Sequence, residues 1–273
     1  MSKQTSTAFT LTETWSPLPP GQLTRRGHRI GELAQLPVEE LRSLVEQHQE
    51  SATEPDQASQ SEADLGRLQA AMSCVEGLDA PGLESVLEGA IVVMGVERFL
   101  DGLAFPLLRS IGTSWTEGRI HPGHEHLATS VVRRTLAGCL SRLPTRQDAP
   151  VALFTTPAAH RHELGALAAA ITCAGLGWRV VYLGADVPAE DISAAALETG
   201  ARVVGLSIAC DEERALTCTQ LESVAQALPS GITLVVGGHG AEGLSKELDA
   251  AGATVVTDLS DFRALLGTLE SRS

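Results

Sequence analysis

Five short runs of β-branched and apolar residues alternate with helical stretches in the second half of the chain. The runs are Val151–Thr156, Arg179–Leu183, Val203–Ser207, Thr233–Val236 and Thr254–Thr257. The helical stretches that follow them cover residues 164–175, 188–199, 213–228, 241–251 and 259–270. Strands that alternate with helices form parallel sheets, because each helix returns the chain to the same end of the sheet. The alternation therefore predicts an α/β domain with a doubly wound, five-stranded parallel sheet over residues 150–271.

Four segments with one apolar face precede the sheet. The first two carry the stripes Leu65, Leu68, Met72, Val75 and Leu83, Val86, Leu87, Ile91. The third runs from about residue 96 to 118, and the fourth from about 122 to 143 with Leu127, Val131, Leu136 and Leu140 facing inward. Amphipathic helices joined by short turns bury their apolar faces against one another. We predict a four-helix-bundle cap over residues 64–145.

The amino-terminal quarter has three parts. Residues 1–23 are mainly rich in Ser, Thr and Pro and predict a flexible lead-in. Residues 24–48 show helical spacing around Pro37 and predict a helical hairpin. Residues 49–63 are polar and acidic, which predicts an exposed linker.

Charge and cysteine content restrict the partners and the compartment. The formal net charge of −14 argues against a broad phosphate-binding face, so DNA is an improbable partner. The one basic cluster, Arg25-Arg26-Gly27-His28-Arg29, is short. No apolar run reaches the roughly 20 residues that span a bilayer, so we expect no membrane association. Five scattered cysteines without a Cys-x-x-Cys pair indicate reduced thiols in a cytoplasmic protein.

The loops after the predicted strands carry the residues most suited to ligand binding. In open α/β sheets, ligands bind at the carboxyl ends of the strands. The loops there contain His160, His162 and Gly165, then Gly184, then Ser207, and finally Gly237-Gly238. The chain has no Gly-x-Gly-x-x-Gly after the first strand and no Walker pattern, which argues against NAD and ATP.

The spacing of His160, His162 and Gly165 resembles the Asp-x-His-x-x-Gly signature of cobalamin-binding domains. The resemblance implies a flavodoxin-like, Rossmann-like domain in which His162 is the lower axial ligand of cobalt. It also implies that Ser207 and Gly237-Gly238 flank a buried cofactor tail. His160 replaces the acidic residue that normally orients the ligand, and Ala209 replaces a leucine. We expect His160 either to orient His162 or to face solvent without a role, and Glu163 is a second candidate for the missing acid.

Trp115 is followed, after nine residues, by Glu125-His126. This spacing resembles the Trp-x(9)-Glu-His motif of CarH and LitR-type cobalamin photoreceptors. There the three side chains cover the upper axial group of adenosylcobalamin. Several members have a histidine after the tryptophan that ligates cobalt after illumination, whereas this chain has Thr116. His121, His124 and His126 are the nearby substitutes. The same three histidines with Glu125 also permit a zinc site, although no cysteine completes the set.

The resemblance covers residues 64–270, and the hairpin at 24–48 is similar to the end of a MerR-type regulator head. It implies a sensor rather than an enzyme, with light-induced cleavage of the cobalt–carbon bond as the signal. The expected output is altered self-association in a homo-oligomer, or binding of a protein partner such as a transcription regulator. Whether the protein also binds a bilin such as biliverdin as a second chromophore stays open. The alternatives are a corrinoid carrier for methyl transfer and, less well supported, a mutase subunit.

Overall fold

The computed structural model describes residues 55–210 and 214–270. The predicted lead-in, the predicted hairpin at 24–48 and the first part of the predicted linker lie outside the described residues. The first described helix, α1 (Pro55–Glu76), begins inside the predicted linker. Residues 55–63 of the predicted exposed linker are therefore helical, and residues 60–63 lie exposed. The segment lacks an apolar stripe, but its Ala, Gln and Glu residues are compatible with a helix, and Pro55 is tolerated in a first turn.

Residues 63–273 form one compact unit, which begins with the helical bundle. After α1, the bundle contains α2 (Ala80–Met94), α3 (Val96–Phe99), α4 (Phe105–Thr116) and α5 (Pro122–Arg142). Asp79 caps α2, because its carboxylate accepts the backbone N–H of Gly82 at 2.9 Å. The apolar faces meet in a core that includes Leu83, Leu87, Phe99 and Leu107, all of which are fully buried.

A π turn at Leu100–Ala104 separates α3 from α4. The turn is defined by the N–H of Phe105, which bonds the carbonyl of Leu100 five residues earlier. The next residue is Pro106, which has no N–H and whose ring collides with the preceding turn of a regular helix. A widened turn accommodates both defects. The third helix is therefore not the continuous segment 96–118 that its periodicity predicts, and it ends at Thr116.

The second half is a five-stranded parallel sheet in the order β2-β1-β3-β4-β5. Its strands are β1 (Val151–Pro157), β2 (Arg179–Val187), β3 (Val203–Ser207), β4 (Thr233–Gly237) and β5 (Thr254–Val256). The helices are α6 (Leu164–Gly175), α7 (Ala189–Thr199), α8 (Arg214–Ala227), α9 (Ser245–Ala250) and α10 (Leu259–Glu270). This strand order is that of flavodoxin-like folds, so the predicted fold class is confirmed.

The predicted helix at 241–251 is the largest discrepancy in this half. Residues His239–Leu244 form a 3₁₀ turn, and only Ser245–Ala250 are α-helical. Gly240 and Gly243 lie in the turn and lower its α-helical propensity.

Helix α6 joins the bundle to the sheet. One of its faces, with Leu167, Ala168 and Ile171, belongs to the bundle core. Its other face, with Ala170 and Cys173, belongs to the core beneath the sheet. Small alanine side chains allow this close approach on both sides. The bundle is consequently held beside the sheet. None of the helices in the described ranges is long and apolar enough to cross a membrane.

Candidate cofactor-binding site

A slot of about 280 Å³ opens at the carboxyl edge of the sheet. The sheet, helices α6 and α10 and the bundle helix α4 all contribute to its walls. Its lining residues include Phe105, Arg109, Phe154, Gly165, Ala166, Gly205, Ser207, Val235, Gly237, Gly238, Asp258 and Phe262. Four residues predicted to bind the cofactor, namely Gly165, Ser207, Gly237 and Gly238, therefore line one cavity. The floor is apolar, and the charged residues lie at the exposed rim.

Glycines keep this slot open because larger residues would fill or distort it. A Cβ on Gly165 would lie 2.5 Å from Oγ of Ser207, and a Cβ on Gly205 would lie 2.5 Å from the Phe154 ring. Gly238 has φ +98°, and its Cβ would lie 2.4 Å from the carbonyl oxygen of Ile208. Cβ atoms in folded proteins essentially never make contacts this short. A narrow slot with smooth apolar walls fits a flat ring better than a branched ligand.

His160 and His162 lie in the loop between β1 and α6 and have different surroundings. His162 is exposed at the surface, where its imidazole is free to reach a ligand. His160 is only 5% exposed, and its Nε2 lies 2.7 Å from Oγ1 of Thr217 in α8. His160 therefore does not face solvent, because its ring turns toward α8. Of its two expected roles the solvent-facing one is wrong, and the orientation of His162 stays a prediction.

The loop before His162 is held by hydrogen bonds to the end of β2. The backbone N–H of Ala159 donates to the Asp186 carboxylate at 2.7 Å. The N–H of Asp186 donates to the Thr156 hydroxyl at 2.9 Å, and that hydroxyl donates to the carbonyl of His160. Gly184, which the sequence places in a loop, lies within β2 at a shift of the strand register, with φ +88°. These contacts fix the path of the backbone that presents His162.

Glu163 connects the His162 loop to the bundle. Its Oε1 accepts a hydrogen bond from Nε of Arg133 in α5. Its Oε2 accepts the Tyr182 hydroxyl of β2 at 2.6 Å. Burial of the phenol, and next its bond to Glu163, raise the pKa of Tyr182. Both carboxylate oxygens of Glu163 are thus engaged, and neither is bonded to His162.

The residues of the second motif lie where α4 ends and α5 begins. Trp115 is 53% exposed and so does not belong to the bundle core. Glu125 accepts the Thr129 hydroxyl at 2.8 Å, and its other oxygen lies 2.8 Å from Nδ1 of the exposed His126. The backbone N–H of His121 donates to Nδ1 of His124 at 3.1 Å. Thr116 donates to the carbonyl of Thr113.

The zinc alternative gains no support from the described residues. Nowhere in those ranges do three or more His, Cys, Asp or Glu side chains come together in a way that could hold a metal ion. His124 is also used within its own turn, since Nδ1 accepts the N–H of His121.

Comparison with known proteins accounts for both halves of the molecule. One B12 binding domain family matches residues 150–261, and a second B12 binding domain family matches residues 68–139. The chain is 33% identical over 236 residues to the HTH-type transcriptional repressor CarA of Myxococcus xanthus, covering 86% of this chain and 79% of CarA. The chain belongs to the CarH-type cobalamin-binding family. The repressor CarH of the same organism is 28% identical over 247 residues, covering 90% of this chain and 81% of CarH.

A solved structure shares the fold. The monomethylamine corrinoid protein of Methanosarcina barkeri aligns with a TM-score of 0.59 at 14% identity, over 72% of this chain and 94% of that protein. The family identifies the cofactor of this chain as a cobalamin or related corrinoid. The glycine-lined slot and the exposed imidazole of His162 fit such a group, which needs a narrow pocket for a flat base and a nitrogen ligand for cobalt.

The sequence left three contributors to the site unidentified. Arg133 and Tyr182 contact Glu163 from positions 30 and 19 residues away. Arg109 reaches the slot from the bundle. Each is an ordinary residue in its own helix or strand, so no local pattern marks it. The packing of the bundle on α6 brings Arg109 and Arg133 to this edge, and the pairing of β2 with β1 brings Tyr182 there.

Proposed function

We propose that the protein is a cobalamin-dependent light sensor that holds adenosylcobalamin between the bundle and the sheet. The output is altered self-association or altered binding of a protein partner such as a transcription regulator. In this proposal the protein is not an enzyme and does not itself bind DNA. Adenosylcobalamin supplies a cobalt–carbon bond that visible light cleaves, and the chain supplies the surfaces that respond.

The exposed indole of Trp115 is the observation that carries this proposal. The structure leaves Trp115 53% exposed, although a tryptophan at a helix end most often packs into a core. Glu125 lies at the start of the next helix and is held by Thr129. An exposed aromatic ring at the end of one helix and a fixed carboxylate at the start of the next suit a ligand with a flat face and polar atoms, such as an adenosyl group.

Each part of the chain has a separate role in the proposed switch. His162 would supply the nitrogen ligand of cobalt, and the slot would hold the tail of the cofactor. Trp115, Glu125 and His126 would cover the adenosyl group. A ligand shifts a conformational equilibrium only through contacts that differ between the two states. The contacts of these three bundle residues with the adenosyl group would differ between the two states. The Arg133–Glu163 pair transmits the change between the bundle and the His162 loop.

Reconstitution in the dark tests the proposal. The full chain is loaded with adenosylcobalamin, and its absorption spectrum and elution volume are recorded before and after green light. We expect a spectral change and a shift in elution volume after illumination. Trp115→Ala should weaken adenosylcobalamin binding more than Trp115→Phe, because phenylalanine keeps an aromatic face. A dark complex that light leaves unchanged would contradict the proposal.

A corrinoid carrier for methyl transfer is the second candidate. The accessible upper face favours it, since His126 is 80% exposed and a carrier must present its cobalt to partner enzymes. The same experiment separates the two functions. Binding of methylcobalamin but not of adenosylcobalamin would indicate a carrier. Addition of biliverdin to the loaded protein tests for a second chromophore, whose absorption bands lie outside those of cobalamin.

A further inference from the structure

Arg109 is a positively charged residue at the rim of a slot whose floor is apolar. It belongs to α4 of the bundle, whereas most other lining residues come from the sheet and from α6 and α10. The residue is exposed at the rim. Within the described residues its guanidinium forms no hydrogen bond and no ion pair. An arginine without a partner beside a ligand cavity is available to bind an anion.

The acidic residues at the rim do not occupy Arg109. The carboxylate of Asp101 pairs with Arg263, with Oδ2 at 2.7 Å from Nη2. Oδ1 of Asp258 accepts the backbone N–H of Asp261 at 2.9 Å, which caps the first turn of α10. The floor below them is formed by buried apolar residues such as Phe154, Val235 and Phe262. The floor of the slot is thus apolar and suits a ring. At its mouth lies Arg109, a cation without an ion pair among the described residues.

The tail of cobalamin has the complementary chemistry. It ends in a flat aromatic base, which is joined through a ribose to a phosphodiester and from there to the edge of the corrin ring. If the base lies on the apolar floor, the phosphodiester lies nearer the open side of the slot, because it links the base to the corrin ring outside. We propose that Arg109 binds the phosphate of the cofactor tail and thereby selects corrinoids whose tail carries a phosphate. The inference rests on the proposed binding of cobalamin in this slot.

Three ligands that share the corrin, the cobalt and the adenosyl group test this assignment. Adenosylcobalamin carries the full tail, adenosylcobinamide phosphate keeps a phosphate without the base, and adenosylcobinamide has neither. The affinity of the full-length protein for each is measured in the dark by absorption titration. Because charge-assisted hydrogen bonds are stronger than neutral ones, we expect Arg109→Ala and Arg109→Gln to weaken both phosphate-bearing ligands about tenfold. Binding of adenosylcobinamide should stay unchanged.

Two further variants make the test specific. Arg109→Lys should keep part of the preference for phosphate-bearing corrinoids over adenosylcobinamide. Lysine retains the positive charge but lacks the two parallel N–H donors of the guanidinium. Arg134→Ala removes another exposed arginine of the bundle, one that pairs with Glu84. It should leave all three affinities unchanged. Thermal unfolding of each variant verifies that the bundle remains folded.

The remaining outcomes overturn the inference and separate it from the proposed function. An equal loss for all three ligands means that Arg109 contacts the corrin or supports the fold. No loss for any ligand means that it makes no contact with the tail. In both cases the parent protein still binds corrinoids, so the proposed function stands. If the parent binds none of the three ligands, the proposed function fails as well.

Discussion

His160 and His162 are two residues apart, yet one side chain is buried in the protein and the other is exposed to the ligand edge. Because of this difference, we expect alanine substitutions at the two positions to have opposite effects on stability and on the cobalamin spectrum. His160→Ala removes a buried ring and its contact with Thr217, so we expect a loss of about 1–3 kcal/mol in the free energy of unfolding. The absorption bands of the cobalamin complex should stay those of the parent. Urea unfolding and the visible spectrum measure the two effects.

His162→Ala should behave in the opposite way. The side chain is exposed, so its removal should change the unfolding free energy by less than about 0.5 kcal/mol. Loss of the cobalt ligand should shift the visible bands and weaken cobalamin binding. If the two variants exchanged these effects, His160 would be the ligand and the assignment of His162 would be wrong.

Gly238 gives a second prediction at the level of single residues. Gly238→Ala introduces a Cβ at φ +98°, 2.4 Å from the carbonyl oxygen of Ile208. We expect a loss of about 1–3 kcal/mol in unfolding free energy, together with weaker cobalamin binding. Gly267→Ala is the matched control, because the site is exposed within α10 and nothing lies within 4 Å of the new Cβ. The control should be stabilised by up to about 1 kcal/mol.

Three elements meet at Glu163: the helix that contains Arg133, the strand that contains Tyr182 and the loop of His162. Tyr182 is the only tyrosine of the chain, so phenolate absorption reports this contact alone. Burial first, and then the hydrogen bond to Glu163, raise the pKa of Tyr182. In the unfolded chain the phenol of Tyr182 ionises at about pH 10. The contribution of Tyr182 to stability is therefore complete below that pH and is lost as the pH rises above it.

A pH series measures this effect. The free energy of unfolding of the parent should fall above about pH 10, and Tyr182→Phe should reduce that fall. Glu163→Gln should bring the phenolate transition of the folded protein to lower pH while leaving the larger effect of burial. A parent protein whose tyrosine titrates like the free amino acid would exclude the contact with Glu163.

The elements that the sequence predicted well are those with a regular local pattern. The strands and the helices α6 and α10 follow from β-branched runs and apolar spacing, and the sheet order agrees with the family resemblance. The π turn and the 3₁₀ turn were missed because hydrophobic spacing does not distinguish them from an α-helix. Contacts across the chain were also missed. Thr217 lies 57 residues from His160, and no local signal indicates which helix its ring will face.

At the scale of the whole molecule, the charge determines which large partners are accessible. With a formal net charge of −14, the protein should not bind random-sequence duplex DNA at about 50 mM salt, a condition that exaggerates electrostatic attraction. Fluorescence anisotropy of a labelled duplex measures this in the dark and after illumination. Binding that weakens steeply with salt would show that a basic surface dominates over the total charge.

The π turn between α3 and α4 has a geometric consequence for the side chains that follow it. Each residue of an α-helix advances the side-chain direction by about 100°, and a π turn adds one residue to the helix. Every side chain after Ala104 is therefore rotated from where an unbroken helix would aim it. Arg109 and Trp115 both lie beyond this point. Deletion of a single residue in the turn would therefore redirect the guanidinium of Arg109 and the indole of Trp115 together.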